Sequence, residues 1–89
     1  MDSVFKVENG KHVSFELKEY QNGKFSTTLY SDTLGYAGRV TGTTIVEVLA
    51  NEIKKIQAKI KSHPKEKSLR WILLEVKKKR IEHSQLTLF

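Results

Sequence analysis

Gln85, Leu86, Leu88 and Phe89 are the side chains whose order most narrowly specifies a chemistry, and that chemistry is recognition. The Gln85 amide carries two donors and an acceptor that can fix register at the rim of a pocket, while Leu88 and Phe89 can fill its apolar interior. Leu86 adds a shallower contact, and Thr87 is small enough to face solvent. The competing reading is that Leu86, Leu88 and Phe89 form a last strand or fold back beneath the core. Residues suited to bond-breaking chemistry are scattered by comparison. His12, His63 and His83 show no metal-ligand spacing and read as surface or capping imidazoles. Glu16, Glu19 and Asp32 can form an acidic group, but no second motif accompanies them. There is no cysteine nucleophile, and no serine stands in a nucleophile-elbow pattern. The chain therefore reads as a non-enzyme with no metal and no cofactor.

The elements that must position these residues are legible from periodicity. Val4 and Phe5 begin a short strand, and Val13, Phe15 and Leu17 alternate with polar residues along a second. Phe25, Thr27 and Leu29 share one face of a third strand, with Tyr30 on the other. The pairs Asn9-Gly10 and Asn22-Gly23 tolerate the positive φ that tight hairpins demand. Gly35, Gly38 and Gly42 frame Tyr36 and Arg39 in a segment over 31–42 that reads as a bend or a short fourth strand. Its glycines permit close approach of a ligand backbone, but no Gly-Lys-Ser/Thr follows to make a phosphate loop.

Thr44 and Glu47 are spaced as a capping box at the start of a first helix. Ile45, Leu49, Ile53, Ile56 and Ile60 then fall within an arc of roughly 80° at about 100° per residue, with Lys54, Lys55, Lys59 and Lys61 outside it. This stripe is expected to pack on the sheet. His63-Pro64 breaks the helix, and a second is expected from about Pro64 to His83, on a stripe of Leu69, Ile72, Leu73 and Val76. Trp71 falls opposite that stripe and Arg80 on it, so the burial pattern ends after Val76. The fold class is α+β: an antiparallel three- or four-stranded meander followed by two helices. Residues 1–84 form the expected single domain and residues 85–89 its C-terminal tail.

Charge separates the two halves. Residues 1–50 carry five basic and six acidic side chains, residues 51–89 eleven basic and four acidic. Lys77, Lys78, Lys79 and Arg80 form a run that either meets phosphates or stabilises a helix C-terminus. Eighty-nine residues suffice for a modest core, not for a large enclosed substrate cavity. The absence of cysteine, of a long apolar run and of a signal peptide points to a cytoplasmic chain without a membrane partner.

Two resemblances give these features a context. The segment Gln85, Leu86, Thr87, Leu88, Phe89 resembles the pentapeptide by which bacterial replication and repair proteins dock on the β sliding clamp. That resemblance implies a small replication or repair accessory protein, bacterial or phage in origin, that recruits or blocks other clamp clients. Gln85, Leu86, Leu88 and Phe89 would bind the clamp, while Lys77, Lys78, Lys79 and Arg80 contact DNA. The hairpins followed by a helix, with Gly10-Lys11-His12-Val13-Ser14-Phe15-Glu16-Leu17 leading through Asn22-Gly23-Lys24-Phe25 into a third strand, loosely resemble over about forty residues the single-strand-binding domains of the PUR and transcriptional-coactivator type. This alternative implies a single-stranded nucleic-acid-binding domain using Tyr20, Tyr30 and Tyr36 as a stacking platform, Lys18 and Lys24 as phosphate contacts, and basic helices. Trp71 and Leu74 are the candidate anchors of a homodimer.

Overall fold

The computed structural model describes residues 2–10 and 12–87. Strands β1 (Asp2–Asn9), β2 (Val13–Glu19), β3 (Phe25–Ser31) and β4 (Gly35–Gly38) form an antiparallel meander in the order β1-β2-β3-β4, the α+β arrangement expected. A two-residue strand β5 (Thr41–Gly42) returns to pair with β3 beyond the end of β4. Helices α1 (Ile45–Ser62) and α2 (Lys67–Thr87) pack together on one face of the sheet.

Alternation decides which face is covered. Val13, Phe15 and Leu17 of β2, with Leu29 of β3, are essentially inaccessible and meet Val48, Leu49, Ile53 and Ile56 of α1 and Ile72 and Val76 of α2. Phe5 and Val7 pair with Leu17 and Phe15 across β1 and β2 and line the margin of the same core. Gly10 and Gly23 take φ of 59° and 79° in the two hairpins, the left-handed region that glycine enters without penalty. A register shift between Leu29 and Tyr30 leaves Ala37 as an extra residue in β4, which bends the sheet edge.

Four expectations about the helices are revised. The buried face of α1 holds Val48 and Glu52 beside Leu49, Ile53 and Ile56, while Ile45 and Ile60 are only partly covered. Pro64 does not begin a helix: the Glu66 N–H bonds the His63 carbonyl at 3.1 Å, making residues 63–66 a turn with Pro64 at its favoured second position. The second helix therefore starts at Lys67. Lys79, not Arg80, lies over the sheet, with its Nζ 5.3 Å from the centre of the Phe5 ring. Nor does α2 stop near His83; it runs to Thr87, because no Gly or Pro interrupts the chain there and Lys, Glu, Gln and Leu all favour helix. The boundary expected between residues 84 and 85 thus falls inside a helix.

The first half of the capping box is present as expected, the Thr44 hydroxyl accepting from the Glu47 N–H at 3.3 Å. His63 ends α1 by donating its N–H to the Lys59 carbonyl at 2.8 Å.

Candidate functional site

From Lys77 to Ser84, α2 contributes no fully buried side chain to the core. The helix is nevertheless held to the sheet margin by His83, whose ring stacks on Phe5 at 6.0 Å between centroids, and by Lys79 above the same ring. Gln85 and Leu86 lie in the last turn of this helix, whereas Leu88 and Phe89 lie outside the described residues.

The basic run radiates. Four consecutive helical residues point about 100° apart, so Lys77, Lys78, Lys79 and Arg80 encircle α2 rather than forming one face. Lys78 pairs with Glu75 at 3.4 Å and Lys79 with Glu82 at 3.5 Å, while Lys77 and Arg80 are exposed with no ion pair among the described residues. Of the two expected dimer anchors, Leu74 is 59 % exposed, but Trp71 is half-buried and packs against the core. Trp71 also lines a cleft of about 490 Å³ with His12, Asp32 and Glu66, where the turns at one end of the sheet meet the start of α2.

In that cleft His12 Nδ1 lies 2.7 Å from Asp32 Oδ2, and the Asp32 N–H donates to the His12 carbonyl at 2.9 Å. The hydrogen bond and charge of Asp32 raise the His12 pKa; the same hydrogen bond lowers that of Asp32. Hydrogen bonds from the Thr33 and Ser68 hydroxyls hold Glu66 low. No three metal-ligating side chains converge among the described residues. Glu16 pairs with Lys18 at 3.5 Å instead of joining Glu19 or Asp32.

On the sheet face opposite the helices lie Tyr20, Tyr30 and Tyr36, together with Lys6, Ser14, Glu16, Lys18, Ser26 and Thr28. Tyr36 is 79 % exposed, with its ring edge-on to Tyr30 at 5.2 Å between centroids. Arg39 lies flat along this face, its Nε donating to the Ser26 hydroxyl and its Nη2 to the Tyr20 hydroxyl, each at 3.1 Å. The Ser26 hydroxyl, then Arg39, hold the Tyr20 phenol below the ordinary tyrosine range. The tyrosines therefore lie on the sheet face opposite the helices that carry Lys77 and Arg80.

One feature escaped the sequence. Glu52 is completely buried between α1 and the sheet, its Oε2 accepting from the Thr27 hydroxyl at 2.7 Å and its Oε1 without a hydrogen-bond partner among the described residues. Burial pushes its carboxyl above the ordinary glutamate range, an effect the Thr27 hydroxyl only partly offsets. Its place one turn after Val48 and one before Ile56 was the available signal.

No family model, curated protein or solved structure matches this chain.

Proposed function

We propose that the protein is a small accessory factor that docks on the bacterial β sliding clamp through Gln85, Leu86, Leu88 and Phe89, recruiting or blocking other clamp clients. The reading rests on the order of those residues, and one structural observation supports it: no side chain of α2 from Lys77 to Ser84 is fully buried, yet the helix continues to Thr87. Gln85, Leu86 and Thr87 thus follow a stretch of helix, residues 77–84, that adds no fully buried side chain to the core. Docking in an extended form requires the last turn to open, and terminal helical turns open at a cost near zero. Recognition involves no chemical step.

Clamp binding by the intact chain, measured by surface plasmon resonance against the purified ring, tests the proposal. Deleting residues 85–89, or substituting Leu88→Ala with Phe89→Ala, is expected to abolish it while changing stability by less than about 0.5 kcal/mol. A large stability loss in the deletion would place these residues in the core and remove the basis of the proposal.

A further inference from the structure

The uncovered sheet face carries three clefts in a row. The first, about 300 Å³, lies among Lys6, Glu16, Lys18, Thr28, Tyr30 and Tyr36. The second, about 430 Å³, shares Thr28 and Tyr36 with the first and extends to Gly38 and Arg39. The third, about 290 Å³, shares Arg39 with the second and lies at the end of the sheet among Tyr20, Asn22, Lys24, Phe25 and Thr41, beside the β2–β3 turn. Adjacent clefts therefore share one planar group each, the Tyr36 ring and the Arg39 guanidinium. We propose that this row is a binding track for single-stranded nucleic acid, in which successive bases occupy the clefts and stack against Tyr36 and Arg39.

The arrangement fits a repeating ligand. Each cleft lies at or near the small end of the range for ligand sites, roughly 300–1,000 Å³, and is open along its length, as a unit of a polymer requires. Exposed aromatic rings and arginine planes are the surfaces on which unpaired bases stack, and every base has a π-face. The Tyr36 ring is held edge-on by Tyr30, so it is presented in a fixed orientation. Arg39 is likewise fixed by Ser26 and Tyr20, neither of which neutralises it. A duplex has no free base faces to offer and is too wide for clefts of this size.

Charge limits the phosphate contribution. Lys6 and Lys18 are matched by Glu8 at 3.8 Å and Glu16 at 3.5 Å, which leaves Arg39 and Lys24 as the track's unmatched cations among the described residues. Stacking thus contributes more to affinity than charge does, and the salt dependence is shallow: two contacts to a single strand give a log–log slope near −1.4. Cations on the helix layer would add to that slope if they were used.

Fluorescence anisotropy of the full chain with labelled 15-mer oligo(dT) and oligo(U), and with a duplex of equal length, tests the track without any clamp present. Its result is therefore separate from that of the docking proposal. The single strands are expected to bind more tightly than the duplex. Tyr36→Ala is expected to weaken binding roughly five- to hundredfold, the usual range when one stacked base loses its platform. Tyr36→Phe, which keeps the ring, is expected to retain the binding that Tyr36→Ala loses. Tyr36 is exposed, so none of these variants should disturb folding, and unchanged thermal melting checks that they do not. Equal binding of duplex and single strand, indifference to Tyr36→Ala, or no binding at low salt would each overturn the proposal.

Discussion

Glu52 and Thr27 lie 25 positions apart in the chain but share a 2.7 Å hydrogen bond beneath the sheet. Because burial raises the Glu52 pKa, the folded protein retains this proton to a higher pH than the unfolded chain does. Stability is then unaffected below the ordinary glutamate range and falls as pH rises from there through the raised folded value. Glu52→Gln keeps a neutral group of the same shape. It is expected to flatten that fall and to raise stability at neutral pH, because the amide carries no charge for burial to desolvate. Urea midpoints measured from acid to neutral pH check this, and a slope identical in the variant would refute it. His12 contributes a decline of the same sign, its raised pKa losing effect as pH rises through the folded value, so the comparison is best repeated on His12→Ala. Gly42 is constrained by space rather than by charge. A Cβ there would stand 2.7 Å from Val48 Cγ2 in the buried face of α1, and Gly42→Ala is expected to lower stability by about 1–3 kcal/mol through overpacking.

The second helix has two halves with different anchorage. Leu69, Ile72 and Val76 hold its first part in the core, whereas its second part rests on Phe5 through Lys79 and His83. Phe5→Ala is expected to speed amide hydrogen exchange from about residue 79 onward while leaving residues 69–76 protected, because only the second part depends on that ring. Uniform exchange along α2 in the variant would show that the helix opens as one unit. The same division governs the basic run. Within that run only Lys77 and Arg80 are exposed without an ion pair among the described residues, so Lys77→Gln with Arg80→Gln is expected to remove most of any salt-dependent duplex binding by the run. The log–log slope should fall by about 0.7–0.9 for each phosphate-binding cation neutralised.

Across the molecule, the two proposed surfaces do not compete. The proposed sheet track faces away from the helix layer, and Gln85 and Leu86 of the proposed docking segment lie in the last turn of α2. Arg80 and Gln85 are separated along the helix axis by only about 8 Å, so a ring bound at the motif brings its encircled DNA near Lys77 and Arg80. Two weak contacts to one assembly raise the effective concentration of each. Clamp loaded on DNA is therefore expected to bind more tightly than free clamp, and Lys77→Gln with Arg80→Gln to cancel the difference. Equal affinities would favour a protein that blocks the clamp without touching DNA.

The meander, its Asn-Gly turns, the Thr44 cap and the central part of each helix's apolar stripe are legible in the sequence because each depends on contacts within a turn or on a period of two or 3.6 residues. The helix start at Lys67 and the continuation to Thr87 are not, since a proline fits equally well into a turn and no residue marks a stop. Alternation also places Tyr30 away from the core, though it leaves undecided whether a layer covers that face. Tertiary structure alone decided that both helices pack on the same side, that β5 returns to β3, and that Glu52 is shut in against Thr27. It likewise set Tyr36 against Tyr30 and Arg39 against Tyr20. Except for the Tyr30–Tyr36 contact, these are pairings between residues far apart in the chain, set by strand register and by how the layers stack.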